Sequence, residues 1–309
     1  MKSRKLENVL SALVYISILA VPGFIQGAPA RDDATYLAQQ LKSDSVVTIQ
    51  SGVYSPSRPI VLKNVSNLTV FAYGVTIRAD AKQSTATAAQ GDTLQLTNCQ
   101  SVTILGVSFD GNRAARGGFA VNPETVRLNS CSDIRFRDCS FTNDVCDGIF
   151  AWSGWVNPPS ANLACQRITV DSCRFSDPGR NCISFVGAAW SSVVNCDFTG
   201  PGGDPGVAVD VEANSGDPSG INHHITIANN RARGLKGAFW VTKTSGPSGV
   251  IVAENQIDGI SGDAIFNEGS KTLIAANNVT NCAKAGVSQP QPGTGQITTN
   301  NASVYVEPK

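Results

Sequence analysis

Short runs of alternating apolar and polar residues recur along most of this chain, separated by turns rich in Gly, Asn and Asp. Val207-Ala-Val-Asp-Val-Glu212 is the plainest of them. Successive side chains of a strand point to opposite faces. Val207, Val209 and Val211 are therefore expected on one face, with Asp210 and Glu212 on the other. Runs of this length and period predict short strands rather than helices. Helical spacing is found near the start of the repetitive region, where Asp33-Ala-Thr-Tyr-Leu-Ala-Gln-Gln-Leu41 puts Tyr36, Leu37 and Leu41 on one side. Asp32 or Asp33 is placed to cap its first turn. Val46 to Tyr54 then predicts a strand, a Gly turn and a second strand.

The runs also repeat one another. Asp133-Ile-Arg-Phe-Arg-Asp-Cys-Ser-Phe141, Arg167-Ile-Thr-Val-Asp-Ser-Cys-Arg-Phe175 and Ser192-Val-Val-Asn-Cys-Asp-Phe198 share a pattern with His224-Ile-Thr-Ile-Ala-Asn-Asn-Arg-Ala232 and three later segments. One turn position is filled by Cys139, Cys173, Cys196, Asn230, Asn255, Asn278 and Asn301, at spacings of 34, 23, 34, 25, 23 and 23 residues. A period near 23 with short strands and Asn/Gly turns predicts a β-solenoid. A single coil cannot bury its own apolar side chains, but coils stacked ~4.8 Å apart share a continuous core.

From about residue 45 to 305 this pattern resembles the right-handed parallel β-helix of the pectate-lyase-like superfamily. The resemblance implies an all-β fold of about ten coils, with the short helix near residue 33 capping the N-terminal end of the solenoid. A cap hides the apolar core and the unpaired strand edge of the first coil. Two cysteine ladders fit this picture: Cys139, Cys173 and Cys196 on one, and Cys99, Cys131 and Cys165 on the other, each of these last just before a strand. Stacked small apolar side chains suit a solenoid interior, so reduced, inward-facing thiols are expected rather than disulfides.

Composition narrows the partners. Lys and Arg total 24 against 24 Asp and Glu, giving no formal net charge, and charged residues make up 16% of the chain. No basic surplus exists to attract nucleic acid or an anionic membrane. Lys2, Arg4 and Lys5, the apolar run from Val9 to Ala20 and the small residues Ala28-Pro-Ala30 read as a signal peptide over residues 1–30. A single domain over 31–309 would then be secreted or periplasmic, with no membrane contact after cleavage. No CxxC or Cys/His zinc spacing occurs, and the His223-His224 pair can turn only one ring outward.

The repeat is interrupted in a way that points to a site. Ser153 to Asn162 and Asn214 to Asn222 are insertions that leave the same corner of their coils, on either side of an uninserted coil at Cys182 to Val186. Insertions on repeats often mark the binding face. On the strands entering this corner, the outward positions carry Phe150, Trp152, Ser184, Asp210, Glu212, Trp240, Phe266 and Glu268, with Lys243 at a strand end. Aromatic rings cover the C–H faces of sugars, and charged groups bond their hydroxyls. A polysaccharide is the expected partner, held by Trp152, Trp240, Phe150 and Glu268.

Asp210 and Glu212 have Cα atoms expected ~6.6 Å apart, which suits a hydrolase carboxylate pair. With Asn214 they also form a candidate Ca²⁺ site. Arg180 and Lys243 are candidates to neutralise a uronate or to serve as the base of a lyase. Asn143-Asp-Val-Cys-Asp-Gly-Ile149 resembles the Asn-x-Asp-Gly-Ile turn of polygalacturonase-type hydrolases, which makes Asp147 a candidate. The Asp-Asp and Gly-His-Gly motifs of that family are absent, and Asp-Gly is also an ordinary turn pair. The expected function is an exported enzyme on an acidic glycan, acting as lyase, hydrolase or C5-epimerase. The alternative is a noncatalytic glycan-binding or surface-adhesion solenoid.

Overall fold

A computed structural model of the chain describes residues 32–83, 87–117, 123–152, 165–212, 222–242, 248–269, 271–284, 286–288, 296–297 and 302–305. The helix Asp33–Gln40 forms as its sequence predicts, with the Asp32 carboxylate accepting from the Ala34 N–H at 3.2 Å. Ala34, Leu37 and Leu41 are buried against the core of the first coil, and Tyr36 lies partly buried, stacked on Tyr54.

Beyond the helix the chain winds through three parallel sheets in a fixed order. Ser66–Phe71 belongs to the first, Val75–Arg78 to the second and Leu94–Thr97 to the third, after which Gln100–Leu105 re-enters the first. Among the described residues the sheets hold 12, 10 and 9 strands, and every ladder is parallel. The register keeps like beside like, as in Leu68↔Val102↔Ile134. Inside the second sheet, Phe109, Phe141, Phe175 and Phe198 form one continuous ring stack with centroids 4.6–5.1 Å apart.

The turns explain the abundance of Asn, Asp and Ser. Asp138, Ser172, Asn195 and Asn229 hold equivalent left-handed positions with φ between 54° and 58°, a conformation that Asn and Asp tolerate better than most residues. Beside them runs an internal amide ladder. The Cys196 N–H donates to Asn230 Oδ1, the Asn230 N–H to Asn255 Oδ1 and the Asn255 N–H to Asn277 Oδ1, at 2.9, 2.9 and 3.1 Å. This corrects the predicted alignment by one residue at its end: Asn277 is the buried rung, whereas Asn278 starts the strand Asn278–Cys282. All nine cysteines are buried free thiols, and those of the two predicted ladders donate S–H bonds to backbone carbonyls.

Candidate active site

The third sheet carries the features singled out from the sequence. Its strands include Leu94–Thr97, Val126–Asn129, Ile149–Trp152, Ile183–Phe185, Val207–Val211, Gly237–Val241 and Ile265–Asn267. The register places Gln95, Arg127, Phe150, Ser184, Asp210, Trp240 and Phe266 in one row across successive coils. Glu212, Thr242 and Glu268 follow two residues further along their strands. The aromatic residues fall on both sides of Asp210. Phe150 and Trp152 lie 6.4 Å apart before it, and Trp240 and Phe266 lie 5.7 Å apart after it. Trp240 donates its indole N–H to the Asp263 carbonyl at 3.3 Å. The ring reaches this position because residue 237 is Gly: a Cβ there would stand 2.4 Å from the indole nitrogen.

The strand Val207–Val211 departs from simple alternation, because it is buried on both faces. Asp210 is only 3% exposed, so it is not the solvent-facing carboxylate that the pattern suggested. Its Oδ2 accepts from the Asn181 amide at 3.2 Å, and its Oδ1 is buried with no hydrogen-bond partner among the described residues. Burial first, then the neighbouring charge of Glu212, hold its carboxyl well above the usual range. Glu212 is more open, with 27% of its side chain exposed, and lies 3.8 Å from the Arg180 guanidinium. Burial raises its pKa as well, against the opposing pull of Arg180.

Arg180 joins two of the predicted carboxylates. It makes a bidentate pair with the fully buried Asp147, through Nε at 2.8 Å and Nη2 at 2.6 Å, while its Nη1 faces Glu212. Burial disfavours the guanidinium charge, but the Asp147 bonds overcome it and raise the Arg180 pKa. Its position depends on close packing of the preceding turns. A Cβ on Gly203 would lie 1.6 Å from the Gly179 carbonyl oxygen, and one on Gly179 would lie 2.0 Å from that of Val145. Asp210, Glu212, Asp147 and Arg180 thus form one connected group. Glu268 stands two coils from Glu212 on the same side. Lys243 and Asn214, and most of both insertions, lie outside the described residues.

Asp147 also belongs to a structure not foreseen from the sequence. The Glu124 N–H donates to Asp92 Oδ1 and the Asp147 N–H to Glu124 Oε2, both at 2.8 Å. The Asn181 N–H donates to Asp147 Oδ1 at 3.0 Å, and the Val207 N–H to Asn181 Oδ1 at 3.1 Å. This is a second ladder, equivalent to the Asn ladder but built mostly from acids. Arg127 neutralises its start, bonding Asp92 at 2.6 and 3.2 Å and lying 3.6 Å from Glu124, with its guanidinium 5.0 Å from the Phe150 ring centre. Arg180 neutralises its end. Burial, reinforced by the Asp147 charge, pushes the Glu124 carboxyl well up. Buried Asp144, whose Oδ1 accepts from the Thr125 hydroxyl, is raised to about 7, mainly by burial.

The sequence held a signal for this ladder. In Asp92-Thr-Leu, Glu124-Thr-Val, Asp147-Gly-Ile and Asn181-Cys-Ile, a polar residue stands two places before the first inward strand residue. Glu124, Cys146 and Asp147 present ligand atoms within 4.8 Å of one another. Their carboxylates are committed to backbone N–H groups and guanidinium ions, which meet the charge that a metal would otherwise balance. Beside the pair considered for Ca²⁺, Arg180 plays the same part for Glu212, while burial keeps a proton on Asp210 well above the usual carboxylate range. The two histidines lie elsewhere, at the turn into the first sheet, where His224 stacks on Trp190 at 3.8 Å.

A family profile described as the right handed beta helix region matches residues 94–283, more than half of the chain and the span from Glu124 to Glu268. The chain belongs to the right-handed β-helix family. Solved structures place this β-helix protein among relatives of the same fold. The tailspike protein of the E. coli bacteriophage HK620, determined with a pentasaccharide, superposes with a TM-score of 0.63 at 15% identity, covering 88% of this chain and 49% of the tailspike. The endo-xylogalacturonan hydrolase of Aspergillus tubingensis gives 0.59 at 10% identity, covering 89% of this chain and 75% of the hydrolase. A 1,3-alpha-1,4-beta-D-galactose-4-sulfate-3,6-anhydro-D-galactose-2-sulfate 4 galactohydrolase gives 0.59 at 14%, covering 82% and 68%. The β-helix protein therefore spans about half the length of the tailspike. No curated protein matches it in sequence. Among its described residues no helix is long and apolar enough to cross a membrane.

Proposed function

We propose that this β-helix protein is an exported glycoside hydrolase that holds a polysaccharide along the outer face of the third sheet. The observation that carries the reading is the Asp210–Glu212 pair in two different environments. Asp210 is buried, and its carboxyl keeps its proton well above the usual carboxylate range. Glu212 is partly open and faces a guanidinium. Titratable groups whose surroundings separate their roles mark an acid and its anionic partner. Asp210 protonates the leaving glycosidic oxygen, and Glu212 acts from the anionic state that Arg180 favours, as base or nucleophile. Phe150, expected on the sugar-facing surface, is buried under the Arg127 guanidinium, but the partly exposed Trp152 on one side of Asp210 and Trp240 and Phe266 on the other offer surfaces to sugar rings on both sides of the scissile bond.

A lyase reading has less support. Arg180 is bound to Asp147 and Glu212, and a guanidinium does not deprotonate to serve as a base. Neighbours of this fold bind or cleave glycans according to their descriptions, which fits the same reading. The signal-like sequence of residues 1–30 and the reading of the third sheet as a glycan face together support export.

The test is a polysaccharide panel followed by reducing-end release and by the ultraviolet absorbance of unsaturated ends. New reducing ends without unsaturation are expected. Glu212→Gln and Asp210→Asn should each lower turnover by at least ~100-fold while leaving glycan binding in place. Because Asp210 must hold a proton, turnover should persist above the usual carboxylate range and fall as pH rises further. Unsaturated products would refute hydrolysis, full activity of Glu212→Gln would refute the site, and retention of a glycan without any cleavage would leave a binding solenoid.

A further inference from the structure

The charges of the third-sheet face bear on which glycan it accepts. Binding a polyuronate requires cations free to meet the carboxylates of the sugar chain. The face holds Asp92, Glu124, Asp144, Asp147, Asp210 and Glu212 in and beside the strands and turns around Asp210. Among the described residues four guanidinium groups act on these acids: Arg127 and Arg180 each already face two of them, Arg113, beside Asp144, lies 3.9 Å from Asp177, and Arg116, beside Asp92, donates to the Gly91 and Gly111 carbonyls. The ladder fixes this arrangement. Asp92, Glu124 and Asp147 accept backbone N–H groups from the next coil, so their carboxylates cannot turn away and release an arginine without breaking the coil-to-coil bonds.

Lys236, at the turn entering the next coil, lies 3.7 Å from Asp204. Lys63, on the strand Ile60–Lys63, is in the row of Glu212 but five coils away, or ~24 Å at the spacing of parallel strands. In the sequence of the two insertions that flank the uninserted coil, the one charged residue is Asp217, and Lys243 follows the strand Gly237–Val241. Among the described residues the partly exposed rings of Trp152, Trp240 and Phe266 remain on the face, suited to the C–H surfaces of sugars.

We infer that the substrate is a neutral polysaccharide and that uronate- or sulfate-bearing chains are excluded from this face. The inference rests on the reading of the third sheet as a glycan-binding face, and it revises the acidic substrate expected from the sequence. An anionic chain would meet arginines already paired with acids of the protein, so it would lose its hydration without gaining an ion pair.

Affinity electrophoresis of the full chain separates the two ideas. Gels would contain neutral glycans (galactan, arabinan, galactomannan, dextran, mannan) or anionic ones (polygalacturonate, alginate, carrageenan), at low salt and again at higher salt. Retardation at least ~10-fold stronger by a neutral glycan than by any anionic one, unchanged by salt, is the expected result. Retardation by an anionic glycan that salt abolishes would overturn the inference and leave the glycan-binding face intact. Lack of retardation by any glycan would overturn both. Asp147→Asn gives a second reading. The amide oxygen still accepts the Asn181 N–H, but the Arg180 guanidinium loses its main countercharge. This variant should bind polygalacturonate measurably at low salt where the wild type does not. Absence of any gain, with the variant folded, would argue that pairing of Arg180 is not what excludes anions.

Discussion

Asp144 gives the sharpest test of the buried charge on this face. Its side chain is fully buried, its Oδ1 accepts from the Thr125 hydroxyl and its Oδ2 has no hydrogen-bond partner among the described residues. Burial raises its pKa from 3.8 to about 7. The folded state therefore holds the proton over a pH range in which the unfolded chain has released it. Stability must fall as pH rises from the unfolded value through the folded one, and it levels off above that. At about 1.4 kcal/mol per pH unit, the full loss is about 4 kcal/mol. Asp144→Asn keeps the acceptor for Thr125 and removes the titration. At about pH 4 the variant should match the wild type, and at about pH 9 it should be more stable by up to about 4 kcal/mol, a Tm difference on the order of 10 °C. Urea unfolding at the two pH values measures the double difference directly. A stability change that is the same at both would refute the assignment of a buried, proton-holding carboxyl. The stability of the variant should itself still decline with pH, because Glu124 and Asp210 are raised for the same reason.

Two further perturbations probe the ladders. Arg180→Ala leaves Asp147 buried without its countercharge and should destabilise the fold by about 3–5 kcal/mol, and Asp147→Asn in the same chain should recover much of that in thermal unfolding. Asn255→Ala strips the acceptor from the Asn230 N–H and side-chain amide, together with the donor to the Ile227 carbonyl. With several buried groups left unpaired at about 1–3 kcal/mol each, it should cost more than Asn278→Ala, which lies outside the ladder; equal losses in urea titrations would contradict the register.

How much of the site was legible in the sequence can be stated residue by residue. Asp210 and Glu212 were found because they break the repeat on a coil flanked by insertions, and the aromatic row followed from alternation once the strands were aligned. Arg180 was visible as a charge but not as the link between Asp147 and Glu212, because residues 33 and 32 positions apart meet only when coils stack. Glu124 and Asp92 carry no such mark in the sequence, since a polar residue before a strand looks like a turn residue until its neighbours in adjacent coils are known. The exposure of Asp210 was misjudged for a similar reason. Alternation tells which way a side chain leaves the strand, not what covers it afterwards.

The sequence by itself determined the solenoid. A period near 23, period-two strands and left-handed Asn, Asp and Gly turns are local properties, and the same local solution repeated along a chain can only stack. It also determined which residues face the core, because that follows from alternation alone. Tertiary structure decided the chemistry. Whether a carboxylate holds its proton, and whether an arginine is free for a ligand, depends on burial and on partners brought by other coils. The acids of this face became ladder rungs, arginine partners and a candidate acid only through the vertical register between coils, which no single repeat contains.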